Sequence, residues 1–81
     1  MKITIKQKHI DQGVRGSCTQ DPVALALIEA GYESPWVSSS GLRFLKDRKV
    51  FNYDCPEELL EFMKAFDNEL PVRPGEFELE G

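Results

Sequence analysis

A short apolar run with clear start and stop residues constrains the fold of this chain more than any other stretch. Residues 23–30 are apolar except for one glutamate. Asp21 stands where a helix needs an N-cap, because its carboxylate can accept hydrogen bonds from the free N–H groups of the first turn. Pro22 suits the first helical position. Gly31 suits the position just after the helix, where the backbone often takes a left-handed conformation. The run is apolar on nearly every side, so the predicted helix is buried.

A second helix is predicted near the end of the chain. Apolar residues recur there at the spacing of one helical face, which is expected to be core: Leu59, Phe62, Met63 and Phe66. Two starts are open: Asp54 in a capping box with Glu57, or Cys55 as the cap with Pro56 in the first helical position. Pro71 disfavours helical geometry just before it, so the helix should end near residue 68 or 69.

The remaining segments predict short strands and turns. Residues 2–6 and 76–80 alternate apolar and polar side chains, as half-buried strands do. Residues 42–45 and 50–53 are predicted to pair as a hairpin across a four-residue connection. Between the first strand and the following loop, one turn of helix is expected, with His9 on the surface.

These elements predict one α+β domain over residues 1–81, with a small antiparallel or mixed sheet of about four strands. Both main helices would pack on one face of the sheet, since this buries both apolar faces in two layers. The other face would be open to water and would carry polar residues: Lys2, Thr4, Lys6 and Arg43, with Trp36 either there or in the core. An open sheet face in so short a chain predicts a homodimer, formed through either an edge strand or the open face.

Charge is distributed unevenly along the chain. Residues 1–53 carry eight Lys or Arg and five Asp or Glu, whereas residues 54–81 carry two and nine. A balance of +3 is therefore followed by a balance of −7. This polarity argues against general nucleic-acid binding, which needs a dominant basic face. It permits docking of the acidic end on a basic partner.

The sequence predicts a cytoplasmic protein without a membrane segment. No stretch approaches the roughly 20 apolar residues that cross a bilayer, and the first residues alternate instead of forming the apolar run of a signal peptide. Cys18 and Cys55 are therefore expected to be reduced thiols. Together with one histidine they make a poor metal set, and no cofactor is expected. Cys18 has only His9 as a possible base, so an enzyme is not expected either.

The loop before the first main helix is the best candidate for a ligand site. Its side chains offer a guanidinium, two hydroxyls and an amide: Arg15, Ser17, Thr19 and Gln20. Helix N-termini attract anions, because first-turn N–H groups and the helix dipole favour negative charge. Asp21, as the cap, competes for those N–H groups. The alternative is a plain connection in which Ser17 and Thr19 satisfy local backbone groups.

Arg43 or Trp36, from a neighbouring strand or from a second subunit, would complete such a pocket. The Arg43 guanidinium would hold a phosphate, and Trp36 or Tyr53 would stack on a base. Trp36 is the largest apolar side chain of the chain and belongs in the core by default. If it is exposed instead, it indicates a binding site.

Several segments share a pattern that extends over most of the chain. Its residues are Ile10-Asp11-Gln12-Gly13, Cys18, Pro22-Val23-Ala24-Leu25-Ala26-Leu27, Glu61-Phe62, Phe66-Asp67 and Val72-Arg73-Pro74-Gly75-Glu76-Phe77-Glu78-Leu79. This pattern resembles a family of small uncharacterised proteins of bacteriophages and their bacterial hosts. In that family a cysteine often directly precedes the proline, where this chain has Asp21. The resemblance implies a phage accessory protein that acts by binding, including inhibition or sequestration of host-defence components.

Two functions are therefore open. The first is a non-catalytic binding protein that takes a small anionic ligand as an oligomer in the host cytoplasm, with a nucleotide signal as one candidate. The second is a protein-binding inhibitor that docks its acidic helix, residues 56–66, and its acidic last strand on a basic partner. The loop favours the first function, and the charge asymmetry favours the second.

Overall fold

The structure, a computed structural model, describes residues 1–79 of the 81-residue chain. Strands and helices follow one another in this order: β1 (Lys2–Ile5), α1 (Gln7–Gln12), α2 (Pro22–Glu29), β2 (Glu33–Ser38), β3 (Gly41–Lys46), β4 (Lys49–Tyr53), α3 (Glu57–Asp67) and β5 (Gly75–Glu78). Residue 80 of the predicted last strand lies outside the described residues. In the described part of the chain, no helix has the length and apolar character that crossing a membrane requires.

The strands form two antiparallel sheets. β1 pairs with β5, which places Ile3 opposite Phe77, and β2, β3 and β4 form a meander in that order. The predicted α+β class is confirmed, but the strands are divided between two sheets where the sequence predicts one. The division arises because tight turns hold β2, β3 and β4 together, which leaves the first and last strands to pair with each other.

One core joins both sheets to the helices. Its fully buried apolar residues come from every layer: Ile5, Val23, Leu27, Val37, Leu42, Phe44, Leu59 and Leu79. Phe44 in β3 carries the densest aromatic packing, with ring centroids 4.6 Å from Tyr32, 5.8 Å from Phe51 and 5.7 Å from Tyr53. Stacked and edge-on rings at such distances stabilise a core beyond their buried area.

The first main helix begins and ends at the predicted residues. The Asp21 carboxylate accepts a hydrogen bond from the Ala24 N–H at 2.7 Å, and Pro22 occupies the first helical position. Gly31, with a φ of +98°, takes the left-handed conformation after the helix. Most of the helix is buried as predicted, although Ile28 in its last turn is 50 % exposed.

Burial changes the acidity of this N-cap. Asp21 is 6 % exposed, and burial raises its pKa from 3.8 to about 6; the hydrogen bond from Ala24 opposes this rise, and nearby Asp67 adds to it. A carboxyl whose pKa is higher in the folded chain than in the unfolded chain stabilises the fold at low pH. The contribution of Asp21 is therefore fully present below pH 3.8 and is lost as the pH rises through about 6.

Replacing Asp21 with asparagine is expected to make the chain more stable at neutral pH. Asparagine caps helices about as well as aspartate, and its amide avoids the cost of a buried charge. The gain should be about 1–3 kcal/mol at neutral pH and should shrink as the pH falls toward 3.8. Thermal melts across this range measure it, with the exposed Asp11→Asn as the control. A variant that is no more stable than wild type at neutral pH would contradict the prediction.

The second main helix begins later than predicted. Its first residue is Glu57, and its N-cap is Pro56, whose backbone is extended (φ −65°, ψ 153°). Both predicted starts, at Asp54 and at Cys55, are therefore wrong. The ring of proline fixes φ but leaves ψ free to continue the extended segment, and glutamates in the first turn favour the helix dipole. The helix ends at Asp67 with Asn68 as its C-cap, which agrees with the predicted end near residue 68. The core face is confirmed: Leu59, Phe62 and Phe66 are buried and Met63 is half-buried.

The connection between β3 and β4 is shorter than predicted. Asp47 and Arg48 alone form it, with φ values of +52° and +66°, and Lys46 pairs directly with Lys49. Two successive left-handed residues make the tight turn whose twist matches that of the paired strands. Both strands consequently extend further toward the turn than the four-residue connection allows.

Candidate functional site

Arg15 is bound to the end of α3. Its Nε donates a hydrogen bond to the Phe66 carbonyl at 3.2 Å, and its guanidinium lies 5.5 Å from the centroid of the Phe66 ring. Its Nη1 also lies 3.8 Å from the Glu69 carboxylate. Carbonyls in the last turn of a helix lack partners within the helix, and a cation there is favoured by the dipole. Arg15 therefore connects the loop to the C-terminus of α3.

The rest of the loop is held by local and edge contacts. Ser17 Oγ accepts hydrogen bonds from the N–H groups of Thr19 at 3.3 Å and Gln20 at 3.0 Å. The Val37 N–H of β2 donates to the Cys18 carbonyl at 2.8 Å. Ser17 thus satisfies local backbone groups, which is the alternative that the sequence left open.

The four loop residues predicted to bind a ligand do not converge on the N-terminus of α2. Arg15 contacts α3, Ser17 turns back on the loop itself, and Asp21 occupies a first-turn N–H group of α2. Thr19 and Gln20 are exposed on the surface. Ligand binding by this loop stays a prediction, and the contacts of Arg15 give that residue a structural role.

Replacing Arg15 with alanine is expected to lower the free energy of unfolding by about 1 kcal/mol. The variant loses a charge-assisted hydrogen bond and a cation–π contact, both weakened by solvent because the side chain is 53 % exposed. Chemical denaturation measures the loss. Arg43→Ala is the matched control, since Arg43 is exposed on a sheet face. Equal stabilities of the two variants would mean that the contacts of Arg15 contribute nothing measurable.

The other two predicted residues meet on the sheet formed by β2, β3 and β4. Trp36 lies directly opposite Arg43 in the ladder between β2 and β3, and Arg43 lies opposite Asn52 in β4. With Leu45 and Val50, these residues form what we call the open face, which points away from the core.

Trp36 is exposed rather than buried. Its 55 % exposure shows that the default expectation of a core tryptophan is wrong. Successive residues of a strand point to opposite sides. Because Pro35 and Val37 take the core side of β2, Trp36 must take the open face. An exposed tryptophan is costly to leave in water, so this position indicates a binding surface.

Two shallow hollows flank the pair of Trp36 and Arg43. One, of about 390 Å³, is lined by Trp36, Ser38, Ser40, Gly41, Leu42, Arg43, Asn52, Tyr53 and Asp54. The other, of about 350 Å³, is lined by Ser34, Trp36, Arg43 and Leu45. The larger hollow offers hydroxyls, an amide and a guanidinium around one indole, a combination that can orient a polar planar molecule.

Tyr53 contributes to this hollow only in part. Its ring stacks on Phe44 with a centroid distance of 5.7 Å and an angle of 12°, on the core side of the sheet. One of the two rings that the sequence offers for base stacking is therefore used by the core, and Trp36 is the exposed one.

His9 is buried, in contrast to its predicted surface position. It is 4 % exposed; its Nδ1 accepts the Lys6 N–H at 2.9 Å, and its Nε2 contacts the Glu29 carboxylate. Burial is tolerated because both ring nitrogens have partners. A base needs a free nitrogen, and neither nitrogen of His9 is free.

Glu29, which sequence reasoning missed, is the acceptor of a small basic cluster. Its carboxylate lies 2.7 Å from Lys8 Nζ and 3.1 Å from Lys6 Nζ, in addition to its contact with His9. The hydrogen bond from Lys8, followed by that from Lys6, lowers the pKa of Glu29 from 4.5 to about 2. This contribution to stability is present above pH 4.5 and is lost as the pH falls through about 2. No spacing in the sequence indicates the cluster, because the turn that brings α1 to α2 creates it.

The two cysteines are free thiols in half-buried positions. Cys55 Sγ lies 3.9 Å from Met63 Sδ, and burial raises the pKa of the Cys55 thiol. A raised pKa disfavours the thiolate that nucleophilic or metal chemistry requires. Within residues 1–79, no three His, Cys, Asp or Glu side chains are placed to hold a metal ion together.

Comparison of the chain with protein-family models, curated proteins and solved structures found no match. The chemistry that the open face can perform is therefore inferred from its own residues.

Proposed function

We propose that this chain is a non-catalytic binding protein that takes an anionic small ligand with a planar ring on the open face. The observation that carries the proposal is the pair of Trp36 and Arg43, with an exposed indole beside a guanidinium at a polar hollow. A nucleotide has both complementary parts, a ring that stacks on an indole and a phosphate that accepts bonds from a guanidinium.

The remaining lining of the hollow suits such a ligand. Asn52 can donate hydrogen bonds to phosphate or to ring acceptors. The Ser38 hydroxyl donates to the Gly41 carbonyl at 3.2 Å and lies 2.9 Å from the Ser40 hydroxyl, so these two oxygens serve as acceptors for donors of the ligand. Asp54, at one end, accepts hydrogen bonds only, so it favours a ring or sugar donor there and repels phosphate. This polarity orients the ligand, with its phosphate toward Arg43 and its donors toward Asp54.

The proposed biological setting follows from the resemblance to phage and bacterial proteins. The chain would be a phage accessory protein that works in the host cytoplasm. There it would bind a nucleotide signal, which would then be withdrawn from host defence. Such a protein needs no catalytic residues. The amount of ligand that it can hold depends on its affinity for that ligand and on the number of copies in each assembly.

The proposal is tested by calorimetric titration with nucleoside mono-, di- and triphosphates and cyclic dinucleotides. Trp36 is the only tryptophan of the chain, so quenching of its fluorescence reports ligand contact at the same place. We expect Trp36→Ala and Arg43→Gln each to weaken binding by about tenfold or more. Arg73→Gln, at an exposed position between α3 and β5, is the control and should bind as wild type does.

Either of two binding results would overturn the proposal. If no compound of the panel binds, or if one binds equally well to Trp36→Ala and to wild type, the open face is not the ligand site. The melting temperatures of both variants should stay close to that of wild type, because neither side chain belongs to the core.

A second candidate function, docking on a basic partner, is favoured by one specific observation. Carboxylates from three segments line a hollow of about 430 Å³: Asp54, Glu57, Glu58 and Glu78, together with Pro56. Like charges so placed attract a basic surface. In pull-downs from host lysate, this function predicts a partner that wild type and Arg43→Gln retain and that Glu57→Lys/Glu58→Lys loses. A partner retained by all three proteins would count against it.

A further inference from the structure

The outer edge of β4 is a free sheet edge. β4 pairs with β3 on one side, and within residues 1–79 no backbone group bonds to its other side. The opposite edge of the sheet is protected, because Val37 of β2 bonds to Cys18, and Pro35 and a register shift interrupt that strand. β4 has neither a proline nor a register shift. An unprotected edge is a template for another strand.

The turn between β3 and β4 determines which groups point outward. In a hairpin with a two-residue turn, the residues flanking the turn form a hydrogen-bonded pair, and such pairs then alternate along the ladder. Lys49, Phe51 and Tyr53 therefore direct their N–H and C=O groups toward β3. The N–H and C=O groups of Val50 and Asn52 point away from β3, at the free edge. A second strand can form four hydrogen bonds with these two residues.

Charge along β4 selects the direction of that second strand. The end at the turn is basic, with Lys46, Arg48 and Lys49 around one aspartate. The other end lies beside the carboxylates that line the hollow of about 430 Å³: Asp54, Glu57, Glu58 and Glu78. Antiparallel pairing of two copies places each basic end beside an acidic end, whereas parallel pairing places like charges together. The edge is therefore self-complementary.

We propose that two copies of this chain associate through antiparallel pairing of β4 with β4, centred on Phe51. In this register Val50 of one copy pairs with Asn52 of the second, and all four outward groups of each copy are satisfied. The register also sets Arg48 opposite Asp54 of the second copy. The two Phe51 side chains, half-exposed in the single chain, become neighbours on the core side across the two-fold axis.

The pairing brings two open faces together on one surface. A two-fold axis perpendicular to the sheet makes six continuous strands, and both open faces lie on the same side of them. Two pairs of Trp36 and Arg43 would then share one surface. The inference goes beyond the proposed ligand binding and does not depend on it, because association is measured without ligand.

Sedimentation of charge variants tests the register. Wild type should be a dimer at tens of micromolar. Arg48→Asp and Asp54→Lys should each weaken the dimer by about tenfold or more, because each sets like charges opposite one another. The double variant Arg48→Asp/Asp54→Lys should recover the wild-type association. Arg73→Asp, which makes the same charge change away from β4, should have no effect. Aspartate tolerates the left-handed conformation of residue 48, so folding should be kept.

Hydrogen exchange of the wild-type protein gives a second measurement that needs no variant. The N–H groups of Val50 and Asn52 should be protected at high protein concentration and should exchange quickly on dilution. The N–H of Phe51, bonded to β3, should be protected at both concentrations. A monomeric wild type, fast exchange of Val50 and Asn52 in a dimer, or a double variant that does not recover would each overturn the proposal.

Discussion

Replacing Phe44 with alanine is expected to lower the free energy of unfolding by about 3–5 kcal/mol. Phe44 is fully buried, and its ring contacts Tyr32, Phe51 and Tyr53, so the truncation leaves a cavity that three anchored rings cannot fill. A domain of 81 residues has a total stability of about 4–12 kcal/mol. The variant should therefore be close to unfolding at room temperature, as measured by urea denaturation.

Trp36→Ala is the matched control for this experiment. It also removes a large aromatic side chain from a neighbouring position of the same sheet, but from the open face. Its cost should stay below about 1 kcal/mol. If Trp36→Ala destabilised the chain as strongly as Phe44→Ala, the two faces of the sheet would be equally buried. The orientation of the meander would then be wrong.

Phe62→Ala is expected to have a comparable effect, also about 3–5 kcal/mol, through the other sheet. Phe62 is 8 % exposed on α3, and its ring lies edge-on to Phe77 of β5 with a centroid distance of 5.6 Å. Because Phe44 belongs to the sheet of β2, β3 and β4, and Phe62 packs against the sheet of β1 and β5, the two variants test whether both sheets unfold together. One cooperative transition, shifted in both variants, is the expected result.

Circular dichroism in the far ultraviolet and tyrosine fluorescence show whether Phe62→Ala unfolds in one transition or in two. The two signals should change at the same denaturant concentration if the core is shared. Glu61→Ala, one residue earlier and exposed, is the control and should unfold as wild type does. A transition in which β1, β5 and α3 melt while the meander persists would contradict a single core.

Local patterns in the sequence predicted the elements whose signals lie within a few residues. The cap at Asp21, the left-handed Gly31 and the buried face of α3 each depend on neighbours along the chain, and all three are confirmed. Element boundaries were less predictable. The run of four charged residues at 46–49 predicts a longer connection than the two-residue turn that Asp47 and Arg48 form.

Contacts between distant residues account for what the sequence did not predict. Arg15 meets a carbonyl 51 residues away, and His9 meets a carboxylate 20 residues away. Nothing near either residue signals these partners. The two residues of the candidate site that come together, Trp36 and Arg43, are also brought there by strand register. The sequence predicted Arg43, with Trp36 as one option, on the open side of the sheet, but it assigned both to a pocket with the loop, because strand register is set by turns that local patterns do not fix.

The pairing of the first strand with the last gives the chain an order of assembly. The meander and each helix form from contacts that are close in sequence, whereas the ladder between β1 and β5 closes a loop of nearly the whole chain. During synthesis, Ile3 and Ile5 emerge early but find Phe77 only after β5 has left the ribosome. Until then, the hydrogen-bonding edge of β1 has no partner strand, so the pairing of β1 with β5 is expected to be the last and slowest step of folding.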